Sequence, residues 1–211
     1  MSGIEDATVL NAAPGPGLVA RARGIILRPR AEWHAVDGES TTVAQLYVGY
    51  IVPLSAIPPI AGFIGMTVFG ISIPFSGTYR VPIGSGITSA LMQYVFGLAG
   101  TYALALIIDT LAPTFAGQKS QVQALKVAAY SSTASWLAGI FALIPGFRWL
   151  GVLGLYGLYV LYLGLPIVMK SSKDKAAGYT AVVIVCAIVI FMVIGTIASR
   201  FTGYPAMGLA R

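Results

Sequence analysis

Chemistry in this chain would have to start from very few groups. Asp109 is the one acidic residue inside a long apolar run, and an ionisable group in such a setting is a candidate for an ion or proton pathway. It lies about a turn before Pro113, with Lys119 and Lys126 close in sequence. Its simpler role is an interfacial carboxylate that pairs with one of those lysines or caps a helix. His34 is the single histidine and stands beside Trp33, with no second ligand or triad partner nearby. Ser131, Ser132 and Ser135 offer hydroxyls, but none of the three sits in a Gly-x-Ser-x-Gly elbow or opens a Ser-x-x-Lys box. Cys186 is the single cysteine, which excludes an intrachain disulfide and a Cys/His metal cluster. No catalytic, metal-binding or cofactor-binding set emerges, and no cofactor is expected.

Two short series recur every three residues. Gly151, Gly154 and Gly157 resemble a nucleotide loop only superficially, because no strand precedes them and they fall within an apolar run. Small residues on one face let helix backbones approach closely, so these three are expected to be packing positions. Tyr156, Tyr159 and Tyr162 occupy one slowly drifting helical face. Their hydroxyls need polar partners, either in an internal seam or at lipid headgroups. Asp109 and these tyrosines are the candidate polar or lipid contacts.

The elements that would carry these residues are five apolar stretches, roughly Val43–Ile71, Ile87–Ala112, Leu125–Ile144, Trp149–Met169 and Tyr179–Ala198. Each is near or above the ~20 residues that a helix needs to cross a ~30 Å hydrocarbon core. Lipid offers no partner to free backbone groups, so such stretches must be helical. The expected fold is an all-α integral membrane protein: a bundle of five transmembrane helices with a short basic juxtamembrane N-terminal segment. Composition agrees, with 57% hydrophobic residues, 9% charged residues and a mean hydropathy of +0.83. The net charge of +6 does not point to nucleic acid, because the cations are scattered over several short loops.

Residues 1–17 are expected to be a disordered tail without an apolar leader, a myristoylation start or, at the far end, a prenylation box. Residues 18–41 form a basic segment in which Arg21, Arg23, Arg28 and Arg30 alternate with apolar residues and Trp33. It reads either as a segment lying on an anionic leaflet, with these five as membrane-surface residues, or as a plain tail whose arginines fix orientation. Pro29 suits the start of a short helix reaching about Val36. The transmembrane domain covers 42–200, opens on a Thr42-x-x-Gln45 capping box, and is followed by a short tail, 201–211. Pro53 and Pro58-Pro59 interrupt the first span, as a kink or as the broken helix of a transport site. Residues 72–86 read as a Pro/Gly/Ser-rich loop. With the N-terminus cytoplasmic, that side receives Arg21, Arg23, Arg28, Arg30, Lys119, Lys126, Lys170, Lys173 and Lys175. The far side receives Arg80, Arg148, Arg200 and Arg211. This bias sets the N-terminus inside and the C-terminus outside.

Pro29-Arg30-Ala31-Glu32-Trp33, Phe115-Ala116-Gly117, Ala129-Tyr130-Ser131 and the run Tyr156-Gly157-Leu158-Tyr159-Val160-Leu161-Tyr162-Leu163-Gly164 occur in an order that resembles the Yip (Ypt/Rab-interacting protein) family of five-span membrane proteins. The resemblance covers about 25–199 and is closest to the bacterial inner-membrane branch. It implies five spans with a cytoplasmic N-terminus. Eukaryotic members bind Rab-class GTPases, but their Asp-Leu-Tyr-Gly-Pro motif is missing here, so that binding is not expected. No catalytic residue comes with the resemblance. Three function classes follow. A non-enzymatic membrane-organising scaffold, contacting lipid and other membrane proteins or further copies of itself, is favoured. A small transporter or channel rests on the broken first span and Asp109. An intramembrane enzyme lacks its paired groups.

Overall fold

The computed structural model describes residues 16–73 and 77–201, so of the expected tails at 1–17 and 201–211 all but residues 16, 17 and 201 lie outside the described residues. Two short helices, α1 (Leu18–Leu27) and α2 (Pro29–Gly38), precede the apolar stretches. Arg28 leaves helical geometry between them, and Pro29 opens α2 where its missing amide hydrogen costs nothing. The Thr42 capping box is formed: Gln45 N donates to Thr42 Oγ1 at 3.2 Å, and Thr42 N donates to Gln45 Oε1 at 2.9 Å.

The first apolar stretch is helical over Val43–Phe69 but changes pitch repeatedly. It begins as α3 (Val43–Leu46), widens to a π-turn over Tyr47–Ile51, and resumes as α4 (Val52–Ser55) and α5 (Ile57–Ile64). A second π-turn, Gly65–Phe69, ends it. The wide turn directly before Pro53 gives its ring room, where a regular turn would clash. Hydrogen bonds in both directions tie this span to the next helix: Tyr94 Oη of that helix donates to the Val52 carbonyl at 3.1 Å, and Tyr47 Oη of the first span donates to the Leu98 carbonyl at 3.0 Å.

The expected loop at 72–86 contains a small antiparallel hairpin, β1 (Ile71–Ile73) with β2 (Gly77–Tyr79), in the register Ile71↔Tyr79. Gly70 precedes it at φ 72, a conformation that glycine alone adopts without strain. The chain then runs through α6 (Ile83–Leu111), α7 (Gln121–Ala138), α8 (Tyr156–Val168) and α9 (Ala176–Phe201). Stretches of 3-10 helix, Gly139–Leu143 and Pro145–Leu155, make the tight reversal between α7 and α8.

Four helical segments are long and apolar enough to cross a membrane: Val43–Phe69, Ile83–Phe115, Pro145–Val168 and Lys173–Ile197. The expected third span, around α7, is not among them. The physical reason is its position. α7 is the hub of the bundle, packed against α1, α5, α6 and α8, and every residue from Ala124 to Ser131 is buried. A helix enclosed by protein does not need lipid-matching side chains. Its composition is therefore small and polar, with Ala124, Ala128, Ala129, Ser131 and Thr133 buried. Hydroxyls are satisfied within it, as where Ser132 Oγ donates to the Ala128 carbonyl at 2.7 Å. α9 is the opposite case. It packs on α6 and α8 but leaves Val185, Ile188, Phe191 and Met192 exposed, as a lipid-facing helix must.

Candidate functional site

The ion pairs among the described residues gather at one end of the bundle, where α1 and α2 dock against α7 and α8. Two residues expected at the membrane surface turn inward instead. Trp33 is fully buried: its Nε1 donates to the Val160 carbonyl of α8 at 3.0 Å, and its ring lies over Gly164. A Cβ at Gly164 would come within 2.6 Å of the indole, so only glycine leaves room for it. An indole costs little to bury when its N–H is satisfied. Arg21 is 3% exposed and pairs with Glu32 at 2.6 Å and with Glu39, its guanidinium carbon 5.5 Å from the centre of the Tyr130 ring. Burial pulls its pKa down, but the Glu39 hydrogen bond, Tyr130 and the two carboxylates outweigh that and hold it above the ordinary value. Arg23, Arg28 and Arg30 remain exposed.

The C-terminal end of α2 is fastened just as closely. Lys126, buried in α7, donates from Nζ to the carbonyls of Val36 at 2.9 Å and Glu39 at 2.6 Å. These accept a cation where the helix dipole is negative. Gln123 Nε2 reaches the Asp37 carbonyl at 3.3 Å, and Lys170 pairs with the Asp37 side chain. From this platform an aromatic chain runs into the bundle: Trp33 to Tyr130 at 6.1 Å, Tyr130 to Tyr50 at 4.8 Å, Tyr50 to Trp136 at 6.4 Å. Tyr50 Oη bonds to Thr133 Oγ1 at 2.8 Å. A polar recess of about 780 Å³ opens beside it, lined by Arg21, Glu39, Thr42, Gln45, Tyr50 and Tyr130.

The remaining expected residues are spread out. Gly154 and Gly157 face α7: a Cβ at Gly154 would meet Ser135 Cα at 3.0 Å, and one at Gly157 would strike the Ser131 carbonyl oxygen. Gly151 has nothing within 4 Å. The 3-10 geometry of Pro145–Leu155, three residues per turn, aligns Gly151 with Gly154, but Gly151 sits beyond the contact. Tyr156, Tyr159 and Tyr162 are exposed; Tyr156 Oη donates to the Ile26 carbonyl of α1 at 3.0 Å and its ring lies 5.6 Å from that of Tyr159. Asp109 pairs with neither Lys119 nor Lys126, since Lys126 is committed to α2 and the described ion pairs include no Asp109 contact. Its Oδ1 is buried without a hydrogen-bond partner, close to where Tyr179 Oη donates to the Ile108 carbonyl.

Among the described residues, no group of three His, Cys, Asp or Glu side chains could hold a metal ion. The sequence offers Lys126 only as a partner for Asp109 or a topology-setting cation, and Val160 and Gly164 only as members of the Tyr156–Gly164 run. Only their positions opposite Trp33 and α2, which are tertiary, give them their part. Four residues of the sequence motifs, Trp33, Tyr130, Val160 and Gly164, meet in this one place.

The Yip1 domain model matches residues 23–194. The inner membrane protein YohC of Escherichia coli K12 is 25% identical over 186 residues, covering 86% of this chain and 95% of that protein. YohC from Escherichia coli O6:H1 matches to the same extent. No solved structure matches. With most of its length matched by that domain, the chain belongs to the Yip1 domain family of membrane proteins.

Proposed function

We propose that the protein is a non-enzymatic membrane-organising protein of a bacterial inner membrane, and that its working surface is the platform made by α1 and α2. The observation that carries this reading is the docking itself. Trp33 against Gly164, Arg21 between two glutamates and Lys126 under α2 hold a basic N-terminal segment rigidly at the membrane boundary. A tail needed only for orientation would require no such fastening. The platform lies on the cytoplasmic side, which the cation bias supports. α7 with its 3-10 extension is a fifth, protein-enclosed span, which takes the C-terminus to the far side. The partners are lipid and other membrane proteins or further copies of the chain; the Rab-type GTPase motif is missing.

A second reading, a small transporter or channel, has one observation in its favour. Tyr50 lines the polar recess of the platform, and Trp136 lines a second cavity of about 540 Å³ beside Pro58 and Pro59, so one aromatic pair, Tyr50 of the broken first span and Trp136 of α7, stands between two cavities. Complementation of a deletion strain separates the readings. The organising role expects Trp33→Ala to fail at normal protein levels and Asp109→Asn to succeed. Success of Trp33→Ala with failure of Asp109→Asn would replace the platform by a transport path.

A further inference from the structure

A cavity of about 600 Å³ lies on the outer side of the platform, between α2, the end of α8 and the connection to α9. Its polar wall is Arg30, His34, Lys170 and Lys173, against the single carboxylate of Asp37. That carboxylate is already paired with Lys170, while Arg30 and Lys173 form no ion pair among the described residues. Two full positive charges therefore face the cavity uncompensated. Lys170 is held at φ 55, a left-handed conformation costly for a lysine, and such strain is retained where the surroundings fix a side chain in place.

The other wall is apolar and belongs to a membrane-crossing helix: Tyr162, Leu163, Pro166 and Ile167. Leu155, Tyr159, Tyr162 and Pro166 follow one another at intervals of four, three and four, a single stripe along the helix. The first three are exposed, so the stripe leads from the cavity down the outside of the bundle. Pro166 has no amide hydrogen to give the Tyr162 carbonyl one turn back, which leaves that acceptor short of its helix donor. A cationic wall at headgroup level, an acceptor beside it and an apolar track leading into the hydrocarbon suit one kind of molecule.

We infer that this cavity binds the phosphate of an anionic phospholipid, with Arg30 and Lys173 as the principal phosphate contacts and an acyl chain along Tyr162, Tyr159 and Leu155. The site stands on its own geometry and does not depend on the organising role. A free phosphate ion would satisfy the same cations but would make no use of the stripe.

The test titrates the full-length protein, in neutral detergent, with dihexanoyl-phosphatidylglycerol, dihexanoyl-phosphatidylcholine and inorganic phosphate, reading bound ligand by native mass spectrometry. The wild type should bind the glycerol lipid in preference to the choline lipid, and inorganic phosphate at the same concentration should not displace it. Arg30→Gln/Lys173→Gln should weaken binding by about tenfold. Arg23→Gln/Lys119→Gln, which removes two exposed cations outside the cavity, should change it less than about twofold. Lys173→Glu alone should weaken it with an unchanged melting temperature, which excludes misfolding as the cause. Equal binding of both lipids, equal losses in the two double variants, retention in the cavity variants, or displacement by inorganic phosphate would each overturn the assignment.

Discussion

Gly164→Ala is the most incisive perturbation of the platform. The added methyl would sit 2.6 Å from both Cε2 and Cζ2 of Trp33 and 3.1 Å from Cδ2, against a rigid ring that cannot yield by rotating one end. The indole is fully buried and must move as a body, which also draws Nε1 away from the Val160 carbonyl. Overpacking of this kind costs about 1–3 kcal/mol. A lost buried hydrogen bond adds about 0.5–1.5 kcal/mol. Alanine recovers about 0.5–1 kcal/mol of helix propensity. The net expectation is a destabilisation of about 1–3 kcal/mol, set mainly by the packing range.

The informative measurement is the same substitution with Trp33→Ala already in place. Without the ring the methyl has nothing to strike, so only the propensity gain remains and Gly164→Ala should become stabilising by about 0.5–1 kcal/mol. Unfolding in mixed detergent micelles, followed by tryptophan fluorescence and circular dichroism, gives both legs of the cycle. Tryptic cleavage after Arg23 and Arg30 reports release of α1 and α2 directly. An equal effect of Gly164→Ala in both backgrounds would refute the contact between Trp33 and α8 as the fastening of the platform.

The glycines facing α7 should behave unequally: Gly157→Ala should lower the melting temperature through its clash with the Ser131 carbonyl, costing about 1–3 kcal/mol, while Gly151→Ala should be neutral or slightly stabilising. Equal shifts at both would mean that this face does not pack on α7. Lys126→Met removes the ammonium bonds to the Val36 and Glu39 carbonyls, leaving Val36 with only its 3.3 Å bond from the Glu39 amide, a loss of about 1–3 kcal/mol that should appear as faster cleavage within α1 and α2; an unchanged cleavage rate would count against it. Because the folded pKa of Arg21 is raised above that of a free guanidinium, its contribution is complete below the unfolded value and fades only as pH rises through the folded one, so docking should persist throughout neutral and mildly alkaline pH. Release of α1 and α2 in that range, by the same cleavage assay, would contradict the Arg21 pairing. Cysteine labelling at positions Ser2 and Arg211 in intact cells and inverted vesicles should find them on opposite sides; both ends on one face would remove α7 as a span.

What could be read from the residues alone divides by range. The capping box at Thr42, the start of α2 at Pro29 and the interruption around Pro53 and Pro58 depend on a few neighbouring residues, and each appears in the structure. The helical membrane character followed from hydropathy, which is additive along the chain. For Arg21 and Trp33 the residues alone do not choose, because a cation and an indole beside a membrane point equally well to headgroups or to a protein partner. The choice was made by Glu32, Glu39 and Gly164, distant in sequence or without side-chain signal. The hairpin in 72–86 carries too little β-patterning to announce itself.

α7 joins these observations. A helix judged by its affinity for lipid looks weakest where protein, not lipid, surrounds it, so among the helices of the apolar stretches the one at the hub of the bundle is the one whose composition is least apolar. Its polar residues are spent on the neighbours: Lys126 on α2, Thr133 on Tyr50, Ser135 on the Gly154 carbonyl at 3.1 Å. Each of those bonds ties a different element to the same helix. The platform, the broken first span and the α8 packing face are therefore coupled through α7. Displacing α2 withdraws the two acceptors of a buried ammonium at Lys126, whose charge would then be left uncompensated inside the bundle. That cost makes a detached platform a high-energy state of the folded protein, so binding at α1 and α2 acts on the whole bundle and not on a loose tail.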